Sequence, residues 1–172
     1  IDESGNGHSG QRKEIKSTTG PGQRAGIKLD DVNSGVIVGN PAKLQLQDFI
    51  LACWAKRTDL QQVNVNEMGG CLIAYGAGGF AFGDFPNGQI CLSQVDANTS
   101  QRSYPEFRLT DDRWHHLAVT KNGSEVVYCV DGIVYQARPI NSTFVFNTQL
   151  AIGRRGDQPN HGSDSFLGSL AD

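Results

Sequence analysis

From residue 114 to residue 136 apolar and polar side chains alternate with a period of two, and the alternation breaks at Asn122-Gly123 and Asp131-Gly132. On the first segment Leu117 and Val119 point one way while His116, Ala118 and Thr120 point the other. On the second, Val126, Tyr128 and Val130 alternate with Val127 and Cys129. Asn-Gly and Asp-Gly are favoured where both central residues of a two-residue hairpin take positive φ. The pattern predicts a three-stranded antiparallel meander. Elsewhere, short apolar runs at 25–29, 35–38, 49–56, 71–75, 80–82, 89–95, 144–146, 150–153 and 165–170 are separated by turn signals such as Pro86-Asn87-Gly88. Residues 1–24 read as glycine-rich loop with one short strand. About ten to twelve short strands spaced roughly 8–12 residues apart are the signature of a sandwich. No helical stretch, internal repeat or linker divides the chain, so one all-β domain over 1–172 is expected.

Composition narrows the function classes. With 18 acidic and 15 basic residues the net charge is −3, which leaves no basic footprint for nucleic acid. No apolar run approaches the roughly 18 residues of a membrane span. Cys53, Cys71, Cys91 and Cys129 show no C-x-x-C spacing and so no zinc or redox signature. Each sits in an apolar run, as a small buried hydrophobe would; one disulfide stays open if two of these strands are neighbours. The chain begins at Ile1 without a visible signal peptide, which reads as a removed leader or a start inside a longer polypeptide.

The opening Asp2-x-Ser4-Gly5-Asn6, the run from Phe49 to Lys56, Ala74-Tyr75-Gly76 and Trp114-His115-His116-Leu117 are followed by Tyr128-x-Val130-Asp131-Gly132, Leu150-Ala151-Ile152-Gly153 and Phe166-Leu167-Gly168. In order and spacing this series resembles the laminin-G-like jelly-roll family of the concanavalin A-like lectin/glucanase superfamily. The resemblance implies a two-sheet antiparallel jelly-roll sandwich. It also implies a carbohydrate-binding, adhesion or surface-assembly role, since one fold of this kind serves many functions. Members usually continue past the last segment with acidic residues and an apolar strand, whereas here Ala171 takes the usual acidic place before Asp172. The resemblance therefore implies a fragment of a larger extracellular or cell-surface protein, missing part of its terminal strands.

The same resemblance implies a structural calcium near the opening loop. Asp2 and Asn6 would offer side-chain oxygens, Gly5 a carbonyl, and Asp172 would close the shell. The alternative is a metal-free loop in which Asp2 and Asn6 bond their own backbone. His115 and His116 are adjacent on a strand, face opposite sides and cannot share one metal. Arg155-Gly156-Asp157 spells an integrin-type tripeptide, but the same residues suit a braced turn after a strand. Glycosylation acceptors of the N-x-[ST] type occur at Asn98, Asn122 and Asn141.

A sugar site needs aromatic faces and planar polar side chains. Loop-side candidates are Tyr75, Phe80, Phe85, Arg154, Asp84, Arg102, Tyr104, Asp157 and His161. The last five form the expected ligand set, with Asp84, Arg102 and Tyr104 expected at exposed positions. No Glu-x-Asp-x-x-Glu run supplies the paired carboxyls of a retaining hydrolase. The leading expectation is a non-catalytic, calcium-associated module that binds a glycan or glycoprotein. The rival is a structural domain that contacts neighbouring domains and takes no sugar.

Overall fold

The computed structural model describes residues 5–62, 69–96, 101–157 and 164–172. Two antiparallel seven-stranded sheets face each other. The first runs β1 (Gln11–Lys13), β4 (Gly35–Gly39), β13 (Leu150–Ile152), β6 (Gly70–Ala74), β7 (Phe80–Asp84), β8 (Ile90–Gln94) and β9 (Arg102–Ser103). The second runs β12 (Ile133–Gln136), β11 (Glu125–Val130), β10 (His115–Asn122), β5 (Phe49–Arg57), β14 (Gly168–Ala171), β3 (Ala25–Leu29) and β2 (Lys16–Thr19). The chain crosses repeatedly between the sheets, as a jelly roll does, and the helical turns described are short 3-10 turns, among them Pro21–Gln23 and Ala42–Leu44.

The meander is present, with one correction. Asp131 and Gly132 have φ of 50° and 84°, the left-handed pair expected between Val130 and Ile133. The other turn lies one residue later than the sequence suggests. Asn122 pairs with Glu125, so the two loop residues are Gly123 and Ser124, and Gly123 has φ 56°. A glycine at the first central position alone meets that turn's demand.

Residues 144–146, expected as a strand, form none. A side-chain amide replaces the neighbouring strand: Gln47 Nε2 donates to the Phe144 carbonyl at 2.8 Å, and the Phe144 N–H donates to Gln47 Oε1 at 2.9 Å. Phe144 thus keeps its backbone paired while its ring packs against Phe49 and Phe80. The opening region differs too, since it carries two short strands, β1 and β2.

The inner faces bury Leu72, Phe82, Leu92, Leu117, Val119 and Phe166 at 0–1% exposure. All four cysteines are free; Cys71 and Cys91 are buried and Cys53 and Cys129 half-buried, so no disulfide forms. Polar side chains also reach across this apolar layer, Tyr128 among them. Tyr128 of β11 reaches the opposite sheet, where its hydroxyl accepts the Leu92 N–H at 2.7 Å and donates to the Ser103 carbonyl at 2.7 Å. Leu92 and Ser103 are register partners on β8 and β9, so the hydroxyl inserts into that ladder and ties the two-residue edge strand to the far sheet.

Tyr128→Phe should therefore lower unfolding free energy by about 1–3 kcal/mol, because two buried backbone groups lose their partner while ring volume is kept. Urea denaturation measures the loss, and faster amide exchange at β9 than at β10 would locate it.

Candidate functional site

On the outer face of the first sheet the register brings small side chains together. Cys71 pairs with Gly83 and Gly83 with Cys91; one row along, Ala81 pairs with Ser93 and Ser93 with Arg102. Gly83 is required there, since a Cβ would run into the Gly70 carbonyl oxygen. The result is a hollow of about 250 Å³ with a low floor and polar walls. Burial pushes the Cys91 thiol up to about 12 and raises Cys71 further, so both floor thiols stay protonated and behave as small apolar groups.

One wall is Arg102, whose guanidinium lies 5.8 Å from the centroid of the Phe85 ring, a cation–π arrangement that fixes the charge over an aromatic face. The other wall is an ion cluster centred on Arg155. Its Nε and Nη2 donate to the two oxygens of Asp157 at 3.0 and 2.9 Å, in a bidentate fork. The same guanidinium donates to Asp96 at 3.0 and 3.3 Å and to Asp164 at 3.3 Å. Three carboxylates therefore surround one cation. Burial would lower the Arg155 pKa, but the bonds to Asp157 and Asp96 outweigh it and raise it, so the charge is fixed. Burial raises Asp164, with Arg155 opposing. For Asp157 burial acts upward, yet the Arg155 fork and the Ala77 N–H bring its pKa below the ordinary carboxylate value.

That geometry settles the role of Arg155-Gly156-Asp157. Both charged side chains turn inward to each other, at 11% and 17% exposure, and a Cβ on Gly156 would strike the Gln149 carbonyl. The tripeptide is a brace that holds the loop after β13, not a displayed recognition tip.

The sequence-predicted ligand set is divided by the fold. Arg102 and Asp84 both line the hollow, and Asp157 stands behind it with both oxygens engaged. Tyr104 is exposed at 43%, as expected, but lies in a separate shallow groove with Glu106, Arg108 and Arg138. The expected exposure of Asp84 is corrected. It shares the inward phase of Phe80 and Phe82 on β7 and is 3% exposed, with Oδ2 3.7 Å from Arg57 Nε in an enclosed ion pair. Burial pushes its carboxyl up to about 8 against the pull of Arg57. Tyr75, Phe80 and Arg154 are buried as well. His161 lies outside the described residues, as does Asp2 of the calcium set.

Of that set, Gly5 and Asn6 are exposed in the opening loop, and the Asp172 carbonyl accepts a bond from Arg24 Nη1 at 3.1 Å. Among the described residues no group of three or more His, Cys, Asp or Glu is placed to hold a metal.

Residues that the sequence reading did not assign to a ligand site are Asp96, Asp164 and Ser93, while the floor thiols Cys71 and Cys91 were read only as small buried hydrophobes. The adjacent histidines do separate to opposite faces. His116 packs edge-on to Trp54. His115 is clamped, with Nδ1 2.6 Å from Asp131 Oδ2 and Nε2 2.8 Å from Asp111 Oδ1.

The chain belongs to the concanavalin A-like lectin/glucanases superfamily: a laminin G model of that superfamily matches residues 30–172. No curated protein matches it. Among solved structures, domain 4 of an extracellular arabinanase from Geobacillus stearothermophilus, in complex with arabinotriose, is 16% identical at a TM-score of 0.61. That match covers 95% of this chain and 77% of the other. The CBM40 of a Ruminococcus gnavus sialidase, bound to α2,3-sialyllactose, is 12% identical at 0.55, over 94% and 88% of the two chains. Mouse laminin α1 domains LG4-5 are 16% identical at 0.50, over 94% of this chain and 40% of that one. At these identities the likeness is one of fold. No helix among the described residues is long and apolar enough to cross a membrane.

The His115 clamp predicts a pH dependence. Burial acts to lower the imidazole pKa, but the two carboxylate bonds outweigh it and raise it above 6.5. Its stabilisation is thus full below 6.5 and lost as pH rises through the folded value. Asp111 is held below 3.8, chiefly by His115, so its share is present above that value and lost in acid. His115→Asn should cost up to about 1 kcal/mol near pH 5.5 and less near pH 8.5, read from thermal unfolding at both.

Proposed function

We propose that this chain is a non-catalytic carbohydrate-binding module of a secreted or cell-surface protein, and that the hollow over β6–β9 is its ligand site. The observation that carries the reading is the convergence of Arg102 over Phe85 and the Asp96–Arg155–Asp164 cluster on two sides of a floor built from Ala81, Gly83 and Ser93. A hollow of this size, with few fixed polar groups around an apolar base, has the chemistry of a sugar subsite. Arg102 would donate to ring hydroxyls, Asp96 and Asp164 would accept from them, and the Phe85 ring would meet a C–H face. Arg155 holds both acceptors in place before any ligand arrives, which reduces the ordering cost of binding. It engages Asp96 and Asp164, two of the three carboxylates along the hollow's lining, the third being the enclosed Asp84. Neighbours of the same fold solved with arabinotriose and with sialyllactose support the ligand class, though not a particular sugar.

A second reading, a structural contact domain, is favoured by the outer face of the second sheet. Ile50 of β5 and Val134 of β12 stand there 70% and 62% exposed. It predicts association that strengthens with concentration, visible by light scattering.

A glycan array followed by isothermal titration tests the first reading. Arg102→Ala should weaken binding of any hit by about tenfold or more, in line with roughly 1.5–3 kcal/mol for a charged hydrogen bond. Titrations in calcium and in EDTA should agree if no calcium donor set serves the hollow. An array without a hit, or a hit indifferent to Arg102, would remove the assignment.

A further inference from the structure

From Ser103 to Leu109 the side chains alternate between the inside and the outside of the sandwich. Ser103, Pro105 and Leu109 are buried and Phe107 half-buried, while Tyr104, Glu106 and Arg108 are exposed. The segment is anchored at several points. The Leu109 N–H donates to the Gly88 carbonyl at 2.6 Å, the Leu109 carbonyl accepts from Arg57 Nη1 at 2.9 Å, and Arg108 forms a backbone bridge with Gln89. The Phe107 ring lies 5.7 Å from that of Tyr135 on β12 and 6.3 Å from that of the clamped His115. An open groove of about 680 Å³ lies along this segment and the end of β12. Tyr104, Glu106, Arg108 and Gln89 line it together with Gln136 and Arg138, and it shares no lining residue with the hollow over β6–β9. Two guanidiniums and one carboxylate thus meet in the groove, and among the described residues no ion pair joins any of the three. The Arg108 guanidinium makes a single long bond, from Nη1 to the Asn87 carbonyl at 3.4 Å, which leaves most of its donors open.

We propose that this groove is a second ligand site, distinct from the hollow, that takes a saccharide residue carrying one carboxylate. Three features specify that chemistry. Arg108 and Arg138 supply planar forks that match a carboxylate, and with Glu106 beside them they leave one positive charge for the ligand to neutralise. A densely sulfated chain would bring several charges to a groove with one to offset, on a chain whose net charge is already −3. The Tyr104 ring, 43% exposed, offers a face for sugar C–H groups, and the Gln89 and Gln136 amides offer planar donors and acceptors for hydroxyls. The remaining lining residues, Pro105 and Ala137, are small, so the groove has no deep apolar socket of the kind that anchors a peptide side chain. Because the segment is already fixed by Phe107 and Leu109, binding would cost little ordering of the backbone.

The test titrates the 172-residue chain calorimetrically with glucuronosyl-xylobiose, galacturonosyl-rhamnose and sialyllactose, each beside its carboxyl-reduced, neutral counterpart. At least one acidic probe should bind about tenfold or more tighter than its neutral form, as a charged hydrogen bond implies. Arg108→Gln and Arg138→Gln should each shrink that acidic-to-neutral ratio severalfold. Both side chains are exposed, and thermal unfolding unchanged from the parent chain would show that each variant is folded. No preference for any acidic probe, a preference that survives both substitutions, or tighter binding of a heparin oligosaccharide than of every carboxylate probe would overturn the proposal. Binding through the hollow is read from Arg102 and binding through the groove from the ratio in the Arg108 and Arg138 variants, so either reading can fail alone.

Discussion

A backbone amide or carbonyl removed from water must be given a hydrogen bond, and most of this architecture follows from how that demand is met. Long neighbouring strands satisfy one another, as β5 and β10 do over seven register pairs. Short edges cannot. The two-residue strand β9 is completed by a phenol from the opposite sheet, and the irregular stretch around Phe144 by the amide of Gln47.

The hollow depends on that same completion. Arg102 belongs to β9, next to Ser103, so the Tyr128 hydroxyl fixes the strand from which one wall of the site projects. The opposite wall rests on electrostatics. Asp96 follows β8 while Asp157 and Asp164 lie in the connection from β13 to β14, and their mutual repulsion is offset by a single guanidinium with several donors in a fixed plane. A lysine could not grip all three at once. One wall is thus set by a buried neutral hydrogen bond and the other by a partly enclosed charge network, so acid or salt would loosen the second well before the first.

Much of the fold was legible because strands declare themselves by phase. The alternation around Leu117 and Tyr128 and the glycine turns give the antiparallel sandwich, and the ordered motifs carry the resemblance to its superfamily. Phase also held information that was passed over: Asp84 repeats the inward positions of Phe80 and Phe82, so its burial could have been read from the same pattern. Other features left no local trace. The shift of the first meander turn by one residue depends on Asn122 pairing with Glu125, and the order of residues 144–146 depends on Gln47, 97 positions away. The Arg155 cluster joins Asp96 to Arg155 across 59 positions, a proximity that no spacing rule encodes. The tripeptide around it shows the reverse hazard, since a familiar string of letters was consumed by its own internal ion pair.

Cys71, Ala81, Gly83, Cys91 and Ser93 form the bed of the hollow yet lie outside the main apolar cluster of the sandwich. Their size governs depth on one side of the sheet while the opposite side carries the packing that keeps the protein folded. Exchanging Ala81 or Ser93 for bulkier or smaller neighbours would reshape the cup without touching Phe82 or Leu92 beneath. A scaffold divided in this way can drift from one guest to another by single substitutions, each nearly silent for folding.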